Sequence, residues 1–583
     1  MPKCATARAA TRWTALAAVL LGYLTYLGWI GPAGYFGVFH DDTLYFSSAR
    51  SIAQGQGYVI PSVPGTPPQT KYPVLFSWLL SWVWKWSPSF PANLRVAVWV
   101  TAAFGCWALI ASYYLLRSLQ GVGEWGALGI VALVAFHQYF LFFSGALLSN
   151  IPFMALVLTA AVLADAGLRQ EARWELAAAA GVLMGLSVLM RTLGLALVLG
   201  FAVCALYRRA VRPLAVLLAT ASPFVALGLA WSGRAPSPEA LASSAAPGWW
   251  QTWLYYTSYT GFWRISVPNV STLVAMVQSN LGDFLKSPAS LCLFPQLGGD
   301  ESFAGFLLAV TLTAGIWIGV VRQARSQEWK PIHFVLPFYI AVTLLWNFSL
   351  IDSYLLAFLP LLYAGLWIEA RHFGGLVARV WRDRRPVAER VLAGGLMVAV
   401  ASLGWLAARN YVSGMRPRLR GLVVQRAASS QEREQLYDWI RRNTGPETRF
   451  VAYEDVGLYL ATGRQVMWPL ALATGSFYAS DASRIEWQMA HITDVARQIG
   501  AGYWVASDAD PADVQPRVAA LKAVLPLTFR SRTGKIELYD LACLNQPGQP
   551  GCETALQVLR PESGPRPTSA SGPRDGGQSA ASR

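Results

Sequence analysis

Charge is scarce in this sequence. Asp, Glu, Lys and Arg make up 14% of its 583 residues, where a soluble globular chain carries about 25%. Cysteine is scarce too: six are too few for a disulfide scaffold, and no pair has CxxC spacing. No self-similarity recurs at a fixed short period, which excludes a repeat array. No zinc, RNA-binding or basic-arm pattern accompanies the net charge of +15, so nucleic acid is not an expected partner.

What is abundant is apolar, 54% of the chain. Runs of about 17–25 apolar residues, the length that crosses a bilayer as a helix, recur along most of it. Candidate spans are 13–32, 95–116, 126–145, 151–167, 175–191, 193–207, 212–232, 303–321, 333–350, 353–369 and 390–408, about eleven in all. Within 175–207, Arg191 suits either a tight turn or a buried charge. The run from Trp13 to Ile30 is long for a signal peptide. Gly31-Pro32-Ala33-Gly34-Tyr35 is also a poor cleavage site, so an uncleaved first span is expected. The 25 tryptophans suit a membrane–water interface.

Basic residues set the orientation. With the N-terminus inside, the inner loops hold Arg117; Arg169 and Arg173; Arg208, Arg209 and Arg212; Arg322, Arg325 and Lys330; and a cluster from Arg371 to Arg390. The outer loops are longer and poorer in Lys and Arg, as the positive-inside rule requires. An odd span count then places the C-terminal region outside. The expected fold is a membrane all-α, polytopic helical bundle over 1–409, an outer soluble α/β domain over 410–545 and a disordered, Pro-, Gly- and Ser-rich tail over 546–583. In the α/β domain, Arg449–Ala452 and Tyr503–Ala506 read as strands. Arg484–Ile499 and Ala512–Ala523 read as helices, and 527–539 as a hairpin across Thr533-Gly534. Cys543 and Cys552 are open to a disulfide if this region is extracytoplasmic.

The first outer loop opens on Phe39-His40-Asp41-Asp42-Thr43-Leu44-Tyr45. Two adjacent carboxylates at a membrane boundary require water, a partner or a reaction to justify them. Residues 42–54 read as an amphipathic helix lying on the membrane, ended by Gly55-Gln56-Gly57. A second segment from Pro73 to Trp86 is too short to span and reads as re-entrant or interfacial. The second outer loop, 232–302, concentrates Trp249, Trp250, Trp253, Tyr255, Tyr256, Tyr259, Phe262 and Trp263. It suits an aromatic belt or a surface for a lipid tail or a sugar.

Three motifs in order, His40-Asp41-Asp42-Thr43-Leu44-Tyr45, Ala53-Gln54-Gly55-Gln56-Gly57-Tyr58 and Lys71-Tyr72-Pro73-Val74-Leu75, resemble the first outer loop of the GT-C glycosyltransferases. The likeness is to the protein O-mannosyltransferase and lipid A aminoarabinose transferase group. Gly185-Leu186-Ser187-Val188-Leu189-Met190-Arg191 and Leu458-Tyr459-Leu460-Ala461-Thr462-Gly463-Arg464 add to it. The chain departs from that pattern at Ser149-Asn150-Ile151-Pro152, where relatives often carry an acid, and at Asp352-Ser353-Tyr354-Leu355, where many carry Arg-Tyr.

The resemblance implies an inverting transfer of a sugar from a polyprenyl-phosphate donor to a lipid, glycan or protein acceptor. The site would lie at the outer face of a bacterial inner membrane. Such a reaction needs a base for the acceptor hydroxyl and cations for the leaving phosphate. Asp41 is the expected base, with Asp42 orienting it or holding the acceptor. Lys71 is the expected phosphate ligand, helped by Arg191 or Arg264. Tyr45, Tyr72 and Asn150 complete the expected substrate-binding set. No cofactor is required, though a divalent metal is compatible; His40 with two Asp in a row does not make a clean metal site. Each residue also has a plain structural role open to it: Asp41 and Asp42 as helix caps, Lys71 as a snorkelling lysine, Arg191 as a topology anchor. The rival readings are a polytopic transporter or lipid flippase, which should carry ionisable groups deep in several spans, and a catalytically inactive relative.

Overall fold

The computed structural model describes residues 2–169, 173–243, 246–298, 302–326, 329–348, 352–383, 386–508 and 510–545. The tail at 546–583, with Cys552, lies outside them; Cys543 is disulfide-bonded.

Among the described residues, seven helices are long and apolar enough to cross a membrane: Ala10–Ile30, Asn93–Arg117, Asn150–Gly167, Val211–Ser232, Phe303–Ser326, Ser353–Arg382 and Val387–Arg409. Gly123–Ala135 and Gln138–Gly145 make an eighth if this pair, bent by 56°, is one span. At the three remaining expected positions stand shorter apolar helices, Trp174–Met190, Thr192–Tyr207 and Pro331–Leu344. The expected eleven spans are therefore seven or eight of full length plus three short helices, the pattern of a multi-pass integral membrane protein. The interruptions have local causes. At His137 the backbone turns extended, and its ring accepts the Tyr139 N–H to start the next helix. At Arg191 the backbone is extended (φ −152°, ψ 138°), ending one helix before the next begins.

Small residues let these helices approach closely, as expected where lipid supplies no hydrophobic drive between them. A Cβ on Gly181 would stand 2.1 Å from Thr220 Oγ1 and 2.3 Å from the Leu217 carbonyl, and one on Gly185 would meet Phe224 at 2.8 Å. Likewise a Cβ on Gly319 would lie 2.0 Å from the Gly365 carbonyl oxygen. Gly319→Val is expected to force apart the helices Phe303–Ser326 and Leu359–Arg382 and to destabilise the fold by about 1–3 kcal/mol. The thermal midpoint in detergent checks this.

The two helices between the first two spans, His40–Ala53 and Val74–Trp86, differ. Val74–Trp86 buries Phe76, Leu80, Val83 and Trp84 and exposes Trp78, Trp82 and Trp86 on its other side, as an interfacial helix should. His40–Ala53 does not lie on a membrane surface: Asp42 through Ala49 are buried. The reason is that both its flanks are covered, one by Val74–Trp86 and the other by Asp455–Thr462 from the C-terminal region. It stops where expected. Gly55 and Gly57 have φ of 75° and 85°, a left-handed backbone that other residues rarely adopt.

The last span, Val387–Arg409, ends where the sequence turns polar, but the helix that carries it does not. Val387–Asn443 is one 57-residue helix, so that boundary falls inside a helix and not in a linker. Beyond it a five-stranded sheet forms from β1 (Phe450–Val451), β2 (Val466–Met467), β3 (Tyr503–Ser507), β4 (Leu527–Arg530) and β5 (Ile536–Asp540), in the order β2-β1-β3-β5-β4. β1 pairs in parallel with β2 and β3, while β5 runs antiparallel to β3 and β4. The strand β2 and the helix Asp455–Thr462 were not expected from the sequence. The segment Arg484–Ile499 is two helices, Ala482–Ala490 and Asp494–Ile499. Asp494 marks the break, its carboxylate accepting the Gly248 N–H at 2.9 Å.

Candidate active site

Two cavities meet beside the first outer loop. The polar one, about 160 Å³, is lined by Asp41, Tyr45, Asn150, Arg191, Tyr259 and Tyr354 among others. The second, about 240 Å³, is largely apolar, lined by Lys71, Tyr72, Val188, Leu189, Leu195, Leu227, Leu229 and Trp231. Pro73 and Thr192 line both. They are the shared wall, and each follows closely on a cation, Lys71 or Arg191.

Helix ends place the polar groups. Asp41 stands in the first turn of His40–Ala53, and Asn150 opens Asn150–Gly167. Arg191 sits in the extended break after Trp174–Met190, where its Nη1 donates to Asn150 Oδ1 at 2.6 Å. The Tyr45 hydroxyl is 3.3 Å from Ser149 Oγ. Pro73, whose N–H is absent, precedes the first residue of Val74–Trp86 and fixes how Lys71 and Tyr72 enter the site. The Tyr72 hydroxyl donates to Asp41 Oδ1 at 2.5 Å. Tyr72 thus lines the apolar cavity while its tip holds the carboxylate of the polar one.

Lys71 is buried among rings. Its ammonium lies 3.9 Å from the Tyr255 ring centre, 5.0 Å from that of Tyr72 and 5.4 Å from that of Tyr259, a cation–π setting. Burial pulls it down to about 8, against the opposing pull of Asp41 and Asp455.

Asp42 and Arg264, expected at the site, stand apart from the two cavities. Asp42 lines neither cavity. Both its oxygens accept the Gly37 N–H, at 3.2 and 3.0 Å, and burial raises its carboxyl well above the usual carboxylate range despite that bond and the Arg426 guanidinium. Its place is to hold the loop before the helix. Arg264 stands outside both cavities, paired at 3.4 Å with Glu239, both side chains mostly exposed.

The C-terminal domain supplies residues that sequence reasoning did not assign. Asp455 is buried and accepts from the Tyr256 hydroxyl. It also lies 3.2 Å from His40 Nε2. His40 Nδ1 is 3.3 Å from the Tyr255 hydroxyl, and Tyr255 stacks on Trp468 with centres 4.7 Å apart. Tyr255 and Tyr256 are therefore interior wall and not part of an aromatic belt. The available signal for Asp455 was its position three residues before the Leu458–Arg464 motif. Among the described residues no group of three His, Cys, Asp or Glu side chains is placed to hold a metal ion.

By sequence, no protein-family profile and no curated protein matches the chain. By structure, it is similar to ArnT from Cupriavidus metallidurans bound to undecaprenyl phosphate, with a TM-score of 0.51 and 16% identity over 92% of this chain and 100% of that one. The apo form of that ArnT gives 0.46 and 14% over 90% and 99%. The Archaeoglobus fulgidus oligosaccharyltransferase gives 0.44 and 16% over 86% and 69%. At this identity it is the architecture that is shared, and this chain has the fold of ArnT, a GT-C membrane glycosyltransferase.

Proposed function

We propose that this protein moves one sugar from a polyprenyl-phosphate donor to an acceptor hydroxyl at the outer face of its membrane, inverting the anomeric centre. The observation that carries the reading is the junction itself: a polar cavity with a carboxylate, and an apolar cavity bounded by the exposed Leu227 and Leu229, joined at a wall flanked by two cations. The polyprenyl tail takes the apolar cavity and the sugar takes the polar one. Lys71 and Arg191 face the phosphate between them, where charge grows as it leaves. Asp41 accepts the acceptor's proton. The acceptor oxygen bonds to the anomeric carbon as the carbon–oxygen bond to phosphate breaks, and polyprenyl phosphate departs with the electron pair. The ArnT structure of the same fold was solved with undecaprenyl phosphate bound, which supports this class of donor.

The outer face is supported by one helix. Asn150–Gly167 begins at the site and runs for about 27 Å. At its far end Asp165 pairs with Arg208 at 2.9 Å, Lys330 at 2.8 Å and Arg169 at 2.9 Å. These bases belong to the loops expected inside, so the site belongs on the opposite side.

The test incubates the purified protein in lipid nanodiscs with a panel of labelled polyprenyl-phosphate sugars. Release of polyprenyl phosphate with at least one sugar is expected. No release from any of them, in the presence of lipid, glycan and peptide acceptors, would overturn the proposal.

A further inference from the structure

Lys71 belongs to the membrane part of the chain, yet the groups that fix its surroundings come from three separate segments. Tyr255, whose ring centre is 3.9 Å from the ammonium, lies on Pro247–Thr257. Its hydroxyl is 3.3 Å from His40 Nδ1, and the other nitrogen of that ring is 3.2 Å from Asp455. With Nε2–H donating to the carboxylate, Nδ1 is left to accept from Tyr255, so Asp455 selects the tautomer that orients Tyr255. The Tyr256 hydroxyl donates to Asp455 as well and accepts the Trp468 N–H at 3.1 Å. Trp468 in turn stacks on Tyr255 and lies 4.4 Å from the His40 ring. The routes that leave Lys71 through Tyr255 end on one buried carboxylate, Asp455.

We infer that Asp455, on the C-terminal domain, is a positioning residue for the transfer: through His40, Tyr256 and the Tyr255–Trp468 stack it sets where the Lys71 ammonium meets the donor phosphate. This rests on the glycosyl-transfer reading above. Asp455 touches neither cavity, so it acts through others. The groups that face Lys71 are Asp41 from His40–Ala53, Asp455 from Asp455–Thr462, and the rings of Tyr72, Tyr255 and Tyr259, with His40 behind Tyr255. Of these, Asp41 and Asp455 favour the protonated amine, so loss of either charge makes Lys71 easier to deprotonate.

The experiment compares the native chain, Asp455→Asn and Asp455→Glu across pH. Donor turnover and the pH dependence of Lys71 labelling by an amine reagent are both followed. Asp455→Asn is expected to lower transfer about tenfold and to move both the alkaline limb and the labelling midpoint down by about half a pH unit or more. Asp455→Glu keeps the charge and displaces it, so it should leave the limb in place and still lower the rate. If Asp455→Asn does not accumulate, the Glu variant decides by its rate. An unmoved labelling midpoint in Asp455→Asn, or a Glu variant as fast as the native chain, would overturn the inference. Labelling needs no donor: a native chain that releases no polyprenyl phosphate defeats the transfer reading, and the labelling result still judges the link between Asp455 and Lys71.

Discussion

Asp41→Asn should lower sugar transfer by about 10²–10⁴-fold, the range for loss of a general base. The amide keeps an oxygen to accept the Tyr72 hydroxyl, which now donates to Asp41 at 2.5 Å, so the wall of the cavity stands. What it loses is the ability to take a proton. The fall should therefore appear in kcat, with the affinity for polyprenyl phosphate close to native, measured by binding of the unreactive lipid. Asp42→Asn is the matched control. Asp42 is turned toward Gly37 and away from the cavity, so that variant should retain transfer. Equal loss in both variants would mean that the pair serves the helix start and not the chemistry.

Lys71→Met should cost about 10²–10³-fold, the scale seen when one group that stabilises developing charge is removed. Here the loss should fall on donor binding as well as on rate, because the phosphate is charged before and after transfer. The pH dependence gives a second, independent sign. An ordinary lysine holds its proton to about 10.4, whereas burial brings Lys71 down to about 8. The cation is present below that value and is lost as pH rises through it, so transfer should decline on the alkaline side near pH 8. Lys71→Arg keeps the charge at every accessible pH. It should be slower than the native chain, since the longer guanidinium places its charge at a different point among the Tyr72, Tyr255 and Tyr259 rings, but its alkaline decline near pH 8 should vanish. A decline that persists unchanged in Lys71→Arg would assign it to another group.

The parts of the site that could be read in the sequence are those set by local chemistry. Asp41, Lys71, Tyr72, Asn150 and Arg191 lie at or just before helix ends or breaks, where Pro73 or an isolated charge in an apolar run marks the place, Tyr45 stands one turn beyond Asp41, and all six line the two cavities. Asp42 could not be separated from Asp41 by composition. Successive helical residues point about 100° apart, so of two neighbouring acids one can face a cavity while the other is turned into the packing, and only packing decides which. Arg264 offers only its charge in the sequence, and its side chain pairs at the surface instead. Asp455 was out of reach for a different reason: it meets His40 across 415 positions of chain. The same holds for the fold. Apolar run length located the spans, while the helix His40–Ala53 looked amphipathic and surface-bound because the domain that covers it is encoded four hundred residues later.

The 57-residue helix from Val387 to Asn443 carries a consequence for how substrate reaches the site. It is at once the final membrane crossing and the first strut of the outer domain. Along its length Arg426 donates to the Phe36 carbonyl at 3.1 Å and Arg433 pairs with Glu454. With no joint between crossing and strut, the C-terminal domain is braced on the bundle and not hinged from it. On the function proposed above, a long lipid donor would then enter sideways from the bilayer, beside Val211–Ser232, whose exposed Leu227 and Leu229 bound the apolar cavity.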